Sequence, residues 1–316
     1  MTFSTRSLAQ RARSLGPRLA LLLALLARTV PARLRMVPKA TFPRINFIPM
    51  MNYKQISKEI RKKILKMNFD AKGSHIGSSL SCVEILTVLY FKVLKINPKK
   101  PLAENRDRFI LSKGHAAAAL YAALAQRGFF PEKILGSYCK DGGKLPGHST
   151  RGCAPGVEVS TGSLGHGLPM GAGMAIAAKN DNKKYRIFVL MSDGECEEGS
   201  NWEAALFASH HKLDNLAAII DYNKLQALGR TNKVLNLEPL AKKWEAFGWQ
   251  VKEIDGHNFS QIEKVFSKIP FKKNKPSLVI AHTVKGKGVS FMENKLEWHY
   301  KNLTEELYKS ALKELK

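Results

Sequence analysis

The chain has 316 residues, room for one large α/β unit with appendages rather than a string of domains. Hydrophobic residues make up 44% and charged residues 24%, ordinary globular values that exclude a disordered or fibrous protein. The charge is less ordinary. There are 51 basic against 26 acidic side chains, a net +25, and such an excess suits a nucleic acid, a membrane surface or phosphorylated small molecules alike. The four cysteines (Cys82, Cys139, Cys153 and Cys196) form no CxxC pair. They fit a reducing compartment and neither a disulfide framework nor a zinc site.

Residues 1–50 differ from the rest. They hold eight Arg, one Lys and no acid, whereas 35 of the 42 basic residues that follow are Lys and the first carboxylate is Glu59. The apolar run Leu19–Ala27 has nine residues, too few for a bilayer, which needs about 20. Its length suits a signal-peptide core, and the Arg-rich composition suits a transit peptide. Upstream sequence read in from a mis-assigned start, with Met50 or Met51 the true initiator, is the third reading. The expected domain therefore spans 51–316, in the cytoplasm, or in an organelle if the prefix is a transit peptide.

From Gln55 the residues Ile56, Ile60, Ile64 and Met67 recur at helical spacing up to Gly73. A second helix is expected over 82–93, a short strand over 108–112 and a helix over 116–128. Ten glycines lie between Gly142 and Gly173, too many for regular structure until the helical tail MGAGMAIAAK. Strands are then expected at 185–193, 216–223, 249–256 and 277–284, with helices at 201–212, 238–247 and 260–269, and an amphipathic helix at 303–316. Continuous apolar strands alternating with helices predict an α/β fold, a parallel sheet with helices on both faces.

Asp193 and Asn223 fall at the carboxyl ends of two successive strands, the edge where open parallel sheets bind ligands. An Asp carboxylate, an Asn amide oxygen and a backbone carbonyl are hard oxygen donors suited to magnesium or calcium beside a diphosphate. The plainer alternative is a strand-end Asp that caps the next helix, plus a turn Asn. Four histidines, His75, His115, His148 and His299, each sit beside glycine or at an element end. Imidazoles there could donate to phosphate or sugar hydroxyls and pass protons near neutral pH. None is spaced as HxH or HxxxH, which disfavours a transition metal. His210, His211, His257 and His282 are read as structural, and His166 is left open.

The ordered series GSHIGSSLS, RDRFILSKGHA, LPGHSTRG, GVEVSTGSLGHG, SDGECEEGSNWEA, DYNKLQALG and HTVKGKGVSFMEN followed by WH resembles the N-terminal, diphosphate-binding half of transketolase. The resemblance runs from about residue 51 to the C-terminus. It implies thiamine diphosphate held through magnesium, with calcium or manganese as alternatives. Asp193 and Asn223 would ligate the metal through side chains, and Leu225 through its carbonyl. His115, Gly162, Gly194 and Asn223 would contact the cofactor, Leu164 would pack near the thiazolium, and Glu198 would support the metal site from outside the ligand set. His75, His148 and His299 would line the donor channel and handle sugar hydroxyl protons. Ser192 departs from the family pattern, which opens this motif with Gly.

Length is the larger departure. Full transketolases carry two further domains, and the middle one supplies the glutamate and the aromatic that engage the pyrimidine ring at a subunit interface. The resemblance therefore implies the N-terminal subunit of a split transketolase, which would pair with a C-terminal subunit in a two-plus-two heterotetramer. The activity implied is transfer of a two-carbon ketol unit from a ketose phosphate to an aldose phosphate, as in the pentose phosphate pathway. Half of another thiamine-diphosphate enzyme, such as a deoxyxylulose-phosphate synthase, and a noncatalytic cofactor-binding or regulatory protein stand as alternatives. A nucleic-acid module would gather its lysines with interleaved aromatics on one face. Here the lysines are scattered, so neither a nucleic acid nor a membrane is expected as a partner.

Overall fold

The computed structural model describes residues 52–316; the Arg-rich prefix, with its targeting and mis-assigned-start readings, lies outside the described residues. Helix α1 (Tyr53–Asp70) starts where the Asn52 side chain accepts a hydrogen bond from Gln55 N at 3.1 Å. It buries Ile60, Ile64 and Met67, the stripe expected from the spacing. Strand β1 (Arg108–Leu111) leads into helix α4 (Ala117–Arg127), after the short helices α2 (Ile76–Ser81) and α3 (Val83–Val88). Helix α5 (Gly167–Asn180), β2 (Ile187–Ser192), α6 (Gly199–His210) and β3 (Leu216–Tyr222) follow. The chain then runs through α7 (Thr231–Val234), α8 (Leu240–Ala246), β4 (Gln250–Asp255), α9 (Phe259–Phe266), β5 (Ser277–His282) and α10 (Glu305–Glu314).

All pairings among the five strands are parallel, in the order β1-β2-β3-β5-β4. Strand side chains alternate between two cores. Phe188, Leu190, Ala217, Ile219, Val279 and Ala281 pack with residues of α1 to α4, while Ile187, Val189, Met191, Leu216, Ala218 and Ile220 pack with those of α5, α6 and α8. Every residue of β2 and β3 is buried, which is why these strands read as apolar runs up to Ser192 and Asp221. Helices cover both faces, as the sequence predicts. Strand β4 is the edge and keeps Lys252 and Glu253 exposed.

Two elements differ from expectation. The helix expected over 82–93 is α3 followed by a π-helical turn, Leu89–Val93. Helix α2, in a Gly- and Ser-rich stretch, is not foreseen, yet all six of its residues are buried. Packing there overrides a weak intrinsic propensity. Among the described residues no helix is long and apolar enough to cross a membrane.

Candidate active site

The register pairs Ser192 with Asp221, so Asp193 and Asn223 emerge at the same carboxyl edge of β2 and β3. Asp193 Oδ1 accepts from Gly194 N at 2.8 Å and Oδ2 from Lys224 N at 2.6 Å, which ties the two strand ends together. Asn223 Oδ1 accepts from Leu225 N at 3.0 Å. The plainer reading of both residues therefore holds: Asp193 caps the turn that follows it, and Asn223 closes a turn of its own. Each oxygen keeps a lone pair free for a further partner. Asp193 is almost wholly buried, and that burial pushes its carboxyl up to about 6 despite the two amide donors. Among the described residues no three His, Cys, Asp or Glu side chains gather as a metal cluster. The donors at these strand ends are instead one carboxylate, one amide oxygen and the Leu225 carbonyl.

Beneath the strand ends lies a buried polar layer. Lys113 Nζ reaches Asp221 Oδ2 at 2.5 Å and Ser78 O at 3.0 Å, with both charged side chains fully buried. Burial alone would lower the Lys113 ammonium, but Asp221 outweighs it and the net shift is upward. Ser81 and Thr283 hydroxyls donate to the same carboxylate. Lys285, also fully buried, donates to Leu225 O at 3.1 Å and lies 2.9 Å from His299 Nδ1. Burial and the nearby Lys113 lower its amine to about 8. Glu195 accepts from the Ser112 hydroxyl, from Gly165 N at 2.9 Å and from Ser192 N at 3.3 Å, joining β1, the glycine-rich loop and β2.

The four singled-out histidines converge although they span 225 positions of sequence. Ring centroids lie 5.3 Å apart for His75 and His115, 5.8 Å for His75 and His148, 4.9 Å for His75 and His299, and 5.7 Å for His115 and His299. His75 holds a left-handed backbone, φ 64°, and its N–H donates to His299 O at 2.8 Å. Such strain in a non-glycine residue needs surrounding structure to hold it. Gly162, at φ 153°, passes so close to the imidazole that a Cβ would lie 3.0 Å from His148 Cδ2.

Burial, helped by His148 and Lys285, lowers His75 to about 4. Burial and Lys285 lower His299 to about 3, and burial and Lys113 hold His115 well below the usual range. The unfolded chain would take protons on these rings near pH 6.5, but the folded chain resists until about pH 4. Stability is therefore complete above about pH 6.5 and falls as pH drops toward 4. Urea midpoints measured from about pH 7 to about pH 4 should fall less steeply in a His75→Asn, His299→Asn double variant than in the parent. Equal slopes would remove the two rings from the acid response.

One cavity of about 330 Å³ gathers the site. His75, His115, His148 and His299 line it, as do Gly162, Leu164, Asp193, Gly194, Asn223 and Leu225. Glu198 lies at its rim, but its carboxylate is exposed and makes no hydrogen bond to Asp193 or Asn223. The buried glutamate of this segment is Glu195, which sequence reasoning passed over. Lys113, Asp221, Lys285 and Tyr300 were also missed. Tyr300 is 63% exposed, its ring centroid 4.7 Å from that of His299. The signal for the lysines was their place in SKGH and VKGKG, at strand ends rather than on helix faces. His166 is exposed and near Leu164 O, and His210, His211, His257 and His282 stay outside the cavity. A larger cavity of about 600 Å³ beside Arg106 and Glu158 holds none of the expected residues. Chemistry, not size, selects the site.

Known proteins resemble this chain in sequence and fold. A family model described as transketolase, thiamine diphosphate binding domain, matches residues 53–315. The chain is 46% identical over 259 residues to one subunit of an apulose-4-phosphate transketolase of Phocaeicola vulgatus, covering 82% of this chain and 92% of that one. It is 45% identical over 256 residues to a 6-deoxy-6-sulfo-D-fructose transketolase subunit of Clostridium sp., covering 81% and 93%. A crystal structure of transketolase from Campylobacter jejuni superposes with a TM-score of 0.78 at 33% identity, over 83% of this chain but 42% of that one. The chain thus spans nearly all of the subunit relatives and less than half of the single-chain enzyme. With a match from residue 53 to 315, it belongs to the transketolase family, as its N-terminal, thiamine diphosphate-binding part.

Proposed function

We propose that this chain is the cofactor-binding subunit of a two-subunit transketolase. With a C-terminal partner subunit it moves a two-carbon ketol unit from a ketose phosphate to an aldose phosphate, using thiamine diphosphate held through a divalent cation, magnesium. The observation that carries the reading is that three hard oxygen donors and four imidazoles open on one cavity. The relatives spanned almost end to end are named transketolase subunits, and the sugars in their names differ. The transferred unit is therefore the constant part of the proposal, and the two sugars are the variable part. Four unpaired cysteines among the described residues support a reducing compartment, which we take to be the cytoplasm.

The residues fit the cofactor. Asp193 is a buried carboxylate without a cationic partner in direct contact, which a dication would satisfy. Asn223 and the Leu225 carbonyl would complete the protein's share of the shell, leaving positions for diphosphate and water. Gly194 and Gly162 let backbone approach the ligand, with His115 and Leu164 beside it, and Lys113 and Lys285 add positive charge below. Bound thiamine diphosphate supplies an electron sink for breaking the bond beside the ketose carbonyl.

This chain's own residues bind, orient and move protons. Imidazoles held neutral by burial can both accept and donate at neutral pH. His75, His148 and His299 would exchange protons with the sugar hydroxyls.

His148→Ala should lower turnover of the reconstituted enzyme roughly a hundredfold and leave cofactor affinity nearly intact. A matching loss of cofactor binding would instead make His148 part of the scaffold, because its ring packs on Gly162. The function itself is tested by whether the chain mixed with a C-terminal subunit shortens a ketose phosphate by two carbons. A mixture that binds cofactor but transfers nothing would return the chain to the noncatalytic reading.

A further inference from the structure

His257 stands outside the cavity, between strand ends. Gly256 N donates to His282 O at 2.8 Å, and a Cβ on Gly256 would lie 2.4 Å from Thr283 Cγ2. Only glycine lets the turn after β4 close this tightly on the end of β5. That approach sets His257 against the next residues of the chain, where Val284 N donates to His257 Nε2 at 2.8 Å. A ring nitrogen that accepts from an amide carries no proton, so the neutral ring keeps its proton on Nδ1. Nδ1 faces Glu84 Oε2 at 3.1 Å.

Glu84 is held from its other side. Arg61 Nη2 lies 2.7 and 2.8 Å from its two oxygens, and Arg61 Nε donates to Lys287 O at 2.9 Å. The three side chains are only 6%, 8% and 14% exposed for Arg61, Glu84 and His257. Burial would raise Glu84, but His257 and Arg61 together hold it below the usual carboxylate range. Two side chains thus grip the turn that leaves β5, His257 at Val284 and Arg61 at Lys287, beside backbone bonds from Gly286 N to Gly77 O and from Asn294 N to Lys285 O, each 2.9 Å. Lys285 lies between the two grips, and its amine reaches the Leu225 carbonyl and His299, both of which line the cavity. Its ammonium is a donor only, so the 2.9 Å contact makes His299 Nδ1 an acceptor and leaves the His299 proton on Nε2.

We propose that His257 is a positioning residue: with Glu84 and Arg61 it clamps the turn Val284–Lys287, and so holds Lys285 where it fixes His299 as the Nε2–H tautomer. A lysine stem is flexible, and the clamped backbone adds to its packing on Gly77 in making the buried amine a fixed donor. The inference rests on the reading of His299 as a proton-handling residue, but the tautomer is measurable without turnover.

The test is long-range ¹⁵N–¹H NMR on the full chain labelled at histidine. The parent should show His299 protonated at Nε2 with an acceptor shift at Nδ1, and His257 in the opposite tautomer. His257→Phe should release His299 into a mixture of tautomers and lower turnover of the reconstituted enzyme between about 10- and 100-fold. His257→Gln, whose amide oxygen reaches the Nε2 position and can accept from Val284 N, should restore both. Lys285→Met should release His299 while leaving the His257 signals in place, and it carries the test if the Phe variant does not fold. A His299 protonated at Nδ1 in the parent, or an unchanged His299 spectrum in folded His257→Phe or Lys285→Met, would overturn the proposal. Failure of ketol transfer by the parent mixture would strike the functional reading and leave the tautomer assignment standing.

Discussion

Asp193→Ala is expected to abolish magnesium-dependent binding of thiamine diphosphate, lowering affinity by more than about a hundredfold. Loss of an outer partner of a metal ligand already costs between about 10- and 100-fold, and here the only charged ligand is removed. What remains is an amide oxygen and a carbonyl, two neutral dipoles that cannot offset a dication buried below a diphosphate. Asp193→Asn separates charge from shape. It keeps an acceptor for one of the two amides at Gly194 and Lys224, so the apo fold should survive while the cation site is lost. Calorimetry with magnesium and cofactor together, and with each alone, reads the difference. Unchanged affinity in either variant would move the cation away from the ends of β2 and β3.

Much of this site was legible because chemistry and topology share a signal. Asp193 and Asn223 follow strands that are apolar up to their last residues, so the sequence marks them as strand-end residues before any fold is known. Histidines next to glycine were suspect for a related reason: glycine marks places where backbone must bend or approach closely, and such places cluster at sites. The buried charges were not legible. Lys113 and Asp221 are 108 positions apart, and nothing local tells a buried lysine from the many solvated ones in so basic a chain. Glu195 was masked in the same way by three neighbouring acidic candidates in SDGECEEG. The place of β4 outside β5 was equally hidden, since strand order depends on packing between distant segments. His257 reads as structural in the sequence although Gly256 precedes it. It does not touch the cavity, and its effect passes through the Val284 amide, a group no residue identity reveals.

Ketol transfer should appear only when this chain is mixed with a C-terminal subunit, and should saturate at equal stoichiometry. The pyrimidine half of the cofactor needs a glutamate and an aromatic that the family takes from its middle domain, so the chain alone should hold the cofactor without using it. Its surface is also prepared for company. Leu228, 80% exposed, lies on the loop that continues from the proposed cation ligands Asn223 and Leu225, and Leu235, 57% exposed, follows α7. Leu206 and Phe207 are exposed on α6, and α5 carries no charged residue from Gly167 to Ala178. Exposed apolar residues of this kind favour association. Closed two-fold symmetry is the common outcome, which gives two copies of each subunit. Sedimentation of the mixture should show that mass, with the rate of ketose phosphate cleavage reaching its plateau at one partner per chain. A purified chain that turned over a ketose phosphate alone, as fast as the mixture, would defeat the two-subunit reading. A carboxylate of its own, with exposed Glu198 at the cavity rim as the first to replace by glutamine, would then have to take the partner's part.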